Sequence, residues 1–149
     1  MKKLFFIALM GMFTLPSMAQ IQTSTEKSSF ETIAKFRGGT QTLHYLAPLG
    51  YSLTLSTDNR FDDLFIIYIG ENSTEAVESI DGMLYLINNL GKDESTAFND
   101  IAGQTIRATF STIFGGKVLW FSDDEHAGLA SITIKELELV KEKIQKHNK

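Results

Sequence analysis

The chain contains no cysteine, only two prolines and a single tryptophan in 149 residues. Without a thiol it can form no disulfide, supplies no thiolate nucleophile and has no attachment point for a lipoprotein anchor. Its fold must rest on the core alone. Positive charge is also scarce, with 14 Lys and Arg against 18 Asp and Glu for a net charge of −4. Phosphate backbones are held by clustered Lys and Arg, so the charge argues against a nucleic-acid partner. Beyond the N-terminus there is no long apolar run. The best, residues 64–69, has strand length, whereas a membrane-spanning helix needs about 20 apolar residues. Catalytic signatures are missing too: no G-x-S-x-G elbow and no H-E-x-x-H helix occur. Gly115-Gly116-Lys117 lacks the spacer and the following hydroxyl of a phosphate loop.

The first twenty residues are the most informative segment present. Lys2 and Lys3 precede an apolar stretch over residues 4–15, Pro16 breaks it, and Ser17-Met18-Ala19 places small residues ahead of Gln20. This layout predicts a secretory signal peptide over residues 1–19, cut between Ala19 and Gln20. The expected location is the periplasm or the medium of a bacterium, with no stable membrane span after cleavage. Cleavage leaves 130 residues and, with Lys2 and Lys3 gone, a net charge of −6. A chain of that length buries roughly two-thirds of its unfolded surface on folding. Residues 20–28 read as a polar, flexible leader, and residues 29–149 as one domain.

Periodicity outlines the rest. Phe30, Ile33 and Ala34 have helical spacing, with Ser29 as N-cap and Gly38 as stop. A short helix is the favoured reading there, and a strand through Phe30, Ala34 and Phe36 the alternative. Residues 41–47 predict a strand, and Pro48-Leu49-Gly50 a tight turn. Tyr51, Leu53 and Leu55 then alternate with Ser52, Thr54 and Ser56. Residues 64–69 are apolar at both parities, which predicts a central strand covered on both faces. Asn72 and Glu75 form a helix-capping pair before the apolar stripe Val77, Ile80, Met83, Leu84, Ile87 and Leu90. Gly82 within that helix suggests a close approach by a neighbouring backbone. Residues 92–103 read as a loop. Ile106, Ala108 and Phe110 start another strand, Gly115-Gly116 a hairpin turn, and residues 117–122 its return. Residues 127–132 give one more short strand. Thr133 with Glu136 caps a last helix with Ile134, Leu137, Val140 and Ile144 on its apolar face.

The strands come in hairpin groups, which predicts an α+β fold: a mainly antiparallel sheet of about five to six strands with two main helices packed on it. With a short N-terminal helix included, the element order is similar to the α-β-β-β-α-β-β-α arrangement of type III secretion chaperones. The likeness is one of element order alone.

Candidate chemistry is confined to a few places. Asp123, Asp124, Glu125 and His126 set three carboxylates beside an imidazole just after Trp120. Such a set can hold a divalent cation or pair an acid with a base, and it can equally be a charged turn. Asp58, Asp62 and Asp63 resemble part of a calcium loop, without its central glycine and distal glutamate. His44 falls in a predicted strand, and His147 in the final helical turn, where a cation suits the dipole. Trp120, with Phe121, Tyr51 and Tyr45, can either fill the core or present an aromatic face. Between Asp58 and Glu125 there are 13 acidic side chains against Arg60, Lys92, Arg107 and Lys117, a local net of −9. The expectation is therefore a non-enzymatic, exported domain that binds a protein or a small ligand. A metal-dependent or acid–base enzyme using the Asp123 to His126 cluster is one alternative. An inhibitor or immunity-like partner of a basic protein is the other. No cofactor is specified.

Overall fold

The computed structural model describes residues 29–59, 64–126 and 128–147. The signal segment 1–19, its cut between Ala19 and Gln20, the leader 20–28, and the candidate ligands Asp62 and Asp63 lie outside the described residues. Strands β1 (Phe30–Phe36), β2 (Gln41–Leu46), β3 (Gly50–Leu55) and β4 (Phe65–Gly70) form one antiparallel sheet in chain order, followed by helix α1 (Ser73–Asn89). Strands β5 (Ser95–Asn99), β6 (Thr105–Ile113), β7 (Gly116–Ser122) and β8 (Ala130–Thr133) form a second, followed by α2 (Ile134–His147). The class is α+β, as the hairpin grouping predicts. The count differs: among the described residues there are eight strands in two sheets, not five to six in one. The plan runs twice, as a four-stranded meander and then a helix.

Both halves feed one core. Leu43, Leu53, Leu55, Phe65 and Ile67 come from the first sheet, and Ile106, Leu119, Phe121 and Ile132 from the second. The same cluster takes in Ile80 and Ile87 of α1 and Leu137, Val140 and Ile144 of α2. The Phe65 and Phe121 rings stack across the sheets at 6.5 Å. Each helix starts as its capping pair dictates. Asn72 accepts from the Glu75 N–H at 3.0 Å, and Glu75 reaches back to the Glu71 N–H at 3.0 Å. Glu136 takes the Thr133 N–H at 2.8 Å, while Thr133 Oγ1 accepts from the Glu136 N–H at 3.3 Å. These contacts satisfy donors that every helix N-terminus leaves open.

Four expectations need correction. Residues 30–36 form strand β1, not a helix. It pairs with β2 and shifts register between Thr32 and Ala34; an irregularity of this kind changes which side chains face inward, so the apolar residues do not alternate cleanly. With a strand there, the order no longer matches that of the type III secretion chaperones. The loop expected over 92–103 contains β5, an edge strand whose Ser95, Ala97 and Asn99 are exposed. The apolar run at 64–69 is not in mid-sheet, because β4 is the last strand of its sheet. Phe65, Ile67 and Ile69 are buried, but Leu64 and Ile66 are 51% and 37% exposed. Finally, the β6–β7 turn is centred on Phe114 and Gly115, at φ 49° and 78°, one residue earlier than the glycine pair suggests.

Candidate functional site

The outer edges of β4 and β5 approach each other at one point. Ile101 N–H donates to the Tyr68 carbonyl at 3.2 Å, and Tyr68 N–H donates to Asp100 Oδ2 at 3.1 Å. Asp100 is buried, and its Oδ1 accepts the Gln104 N–H at 2.9 Å. Next to this junction, β4, β5 and α1 enclose a hollow of about 340 Å³ walled by Ile67, Ile69, Met83, Leu86 and Phe98. Gly82 lies on its wall, and a Cβ added there would meet no atom within 4 Å. The close backbone approach expected at Gly82 is therefore absent; the missing side chain leaves open space. Tyr85, one turn on, also lines the hollow and is 66% exposed.

Two further depressions adjoin the hollow. Tyr68 and Ile101 also line a shelf formed with Pro48, Leu49, Glu71 and Ala102. Glu71 in turn lines a polar groove with Glu31, Tyr45, Tyr51, Asn72, Ser73 and His147. In that groove Tyr51 Oη shares a 2.8 Å hydrogen bond with His147 Nδ1, and His147 Nε2 lies 3.2 Å from Glu31 Oε2. Burial first, then the nearby Tyr45 and Glu31, push the Tyr51 phenol above its ordinary value. His147 is thus held between two strands and is not simply a charge at a helix end. Residues 31, 51 and 147 share no local motif, so no sequence signal links them.

The Asp123 to His126 turn is organised differently. Asp123 has a side chain only 2% exposed. Its Oδ1 accepts the N–H groups of Glu125 and His126 at 3.0 and 2.7 Å, and its carboxylate meets His126 Nδ1 at 2.8 Å. Gln104 Nε2 donates to its other oxygen. Burial alone would raise the Asp123 carboxyl; the hydrogen bonds from His126 and Glu125, with the His126 ring, outweigh it and hold the group below its ordinary value. The His126 ring rests against Phe65 at 5.1 Å. Asp123 and His126 are therefore brought together, while Asp124 and Glu125 stay exposed. Among the described residues, no group of three or more His, Asp or Glu side chains is placed to hold a metal ion.

Asp58 lies close to this turn in the fold. Its N–H donates to the Leu129 carbonyl at 2.9 Å, and its Oδ1 accepts the Leu129 N–H at 2.6 Å. Trp120 is half-buried, paired in register with Thr109 and Ser131, whereas Phe121 and Tyr51 are core. His44 lies half-buried on β2, 2.6 Å from Thr42 Oγ1. Burial, then Lys35, lowers its pKa. No helix among the described residues is long and apolar enough to cross a membrane. Compared with known proteins, the chain matches no family model, no curated protein and no solved structure.

Proposed function

We propose that this is an exported, non-enzymatic binding domain that buries an apolar group of its ligand in the hollow between α1, β4 and β5. One observation carries the reading: beside the core, the exposed Tyr85 and Ile101 and the half-buried Leu86 and Phe98 surround an opening that stays clear at Gly82. A mostly apolar concavity with a few polar groups is the usual form of a ligand site. Glycine inside a helix costs about 1 kcal/mol relative to alanine, and here open volume is what the helix gains. The Asp123 carboxylate, by contrast, is already committed to its own turn and to Gln104. The N-terminal layout of Lys2, Lys3, the apolar stretch and Ala19 supports the export part of the reading.

The test uses residues 20–149, which hold the whole described core, and the neutral dye Nile red. Saturable, blue-shifted fluorescence is expected. Leucine at position 82 is a better helix former and fills space that is open, so Gly82→Leu should weaken dye binding while the thermal midpoint holds or rises. Equal binding by both proteins, or no saturable binding by the parent, would overturn the proposal.

A further inference from the structure

We infer that the ligand is an extended segment of another protein, carrying an apolar side chain and, a few residues along, a lysine or arginine. This deepens the binding reading above and rests on it. The first argument is continuity. Tyr68 and Ile101 line both the hollow and the shelf, and Glu71 lines both the shelf and the polar groove. Through these shared residues the three depressions adjoin in one row, a track with an apolar and a polar end.

Charge supplies the second argument. Asp100, Glu71 and Glu31 line the track and no Lys or Arg does, His147 beside Glu31 being the one basic side chain there. Asp100 is neutralised in part by two backbone N–H groups, from Tyr68 and Gln104. Glu71 stands where shelf meets groove, beside Tyr45 and Tyr51. Carboxylates next to aromatic faces suit a cation, which gains from both the charge and the ring quadrupole. An anionic ligand would meet repulsion along the same path.

The third argument comes from the backbone. β5 is the terminal strand of its sheet, and among the described residues the backbone tie to β4 falls beyond its end, at Ile101. Strand edges present open donors and acceptors at alternate residues, and an extended chain can use them by adding as a strand. A small apolar molecule would fill the hollow and leave the groove without a role.

A phage-displayed random peptide library panned on residues 20–149 tests the inference. Enriched peptides should combine an apolar residue with a lysine or arginine. The best one, made synthetically, should lose roughly tenfold in affinity to Glu31→Gln/Glu71→Gln and weaken as salt rises. It should also lose affinity to Gly82→Leu. All these positions are exposed, and thermal midpoints check that each variant folds. Enrichment without basic residues, affinity indifferent to the glutamine pair, or no enrichment while Nile red still binds would each overturn the peptide inference alone. If neither dye nor peptide binds, the broader binding reading falls with it.

Discussion

The two halves of the molecule follow one plan and end in opposite ways. In the second half, the outer edge of β8 is sealed by the first: Thr57 bridges Ala130, Asp58 and Leu129 exchange two hydrogen bonds, and Gln41 Nε2 donates to the Ser131 carbonyl at 2.6 Å. In the first half, the described residues meet the outer edge of β4 only around Tyr68. The helices differ in the same sense. α2 buries Leu137, Val140 and Ile144, and much of its remaining surface is lysine and glutamate. α1 buries Ala76, Ile80, Met83 and Ile87 and still presents Tyr85 and Leu86 to the hollow. Apolar surface beyond what packing requires marks interaction sites more often than accidents of composition. Of the two repeats, the first has the open last strand, and the proposed site lies between that strand and β5 of the second.

The largest expected effect tests how tightly the first half is built away from its opening. A Cβ on Gly70 would lie 2.3 Å from the Ala76 nitrogen and 2.7 Å from its Cα, both backbone atoms of α1. Gly70→Ala should therefore cost about 3 kcal/mol, the upper range for overpacking, measured by urea denaturation. A cost near zero would mean that α1 can slide on β4, and the hollow would then lose its fixed shape.

Next in size is the Asp123 turn, which has no described counterpart in the first half. Its buried carboxylate accepts from two N–H groups, a ring and an amide. Asp123→Ala should cost about 2 kcal/mol, as expected when several charge-assisted bonds to one carboxylate are lost. The pH dependence has a definite sign. The folded carboxyl titrates below the unfolded value of 3.8, so its stabilisation is complete above that pH and is lost as pH falls through the lower, folded value. Denaturation curves at neutral pH and at about pH 3 should therefore converge more for Asp123→Asn than for the parent. Parallel behaviour would mean that this carboxylate is not what ties the turn together.

The contrast between the halves was only partly legible in the sequence. Both capping pairs, Asn72 with Glu75 and Thr133 with Glu136, announce their helices because local hydrogen bonds decide helix starts. Tyr51, Leu53 and Leu55, and likewise Ile106, Ala108 and Phe110, alternate because one face of each strand meets the core. β1 was hidden by its register shift at Thr32 and Ala34. β5 was hidden because an edge strand needs few apolar residues, and Phe98 is the one large apolar side chain it carries. The residues 64–69 misled for a physical reason: apolarity at both parities signals burial on two faces, and here part of it faces outward instead. The chain from Tyr51 through His147 to Glu31 was illegible because its members meet only after three distant elements pack.

A smaller effect asks how firmly the halves are tied. Arg37, at φ 45°, donates to both carboxylate oxygens of Glu136 at 2.9 and 2.7 Å and to Ser131 Oγ at 3.1 Å. The guanidinium is 40% exposed, so solvent screening limits the pair to about 1 kcal/mol. Arg37→Ala should lose that amount and keep the backbone strain. Arg37→Gly loses the pair but relieves the left-handed conformation, a relief worth about 1 kcal/mol or more, so it should be the more stable of the two. The reverse order in thermal melts would show that the tie between halves lies elsewhere.

The smallest effect concerns the β6–β7 hairpin tip, where the second half bears a strain that packing does not explain. Phe114 is fully exposed and sits at φ 49°, followed by Gly115 at φ 78°. Two successive positive φ angles suit a two-residue hairpin, which favours Asn-Gly at those positions. A phenylalanine loses more by adopting the left-handed region than asparagine does, and it recovers nothing here through burial. Phe114→Asn should accordingly raise stability by roughly 0.5–1 kcal/mol, read as a small rise in thermal midpoint with an unchanged denaturant slope. It should leave peptide and dye binding untouched, because Phe114 lines neither the hollow nor the track that leads from it. Binding that weakened with the substitution would move the interaction surface to the β6–β7 tip, away from the open last strand of the first half.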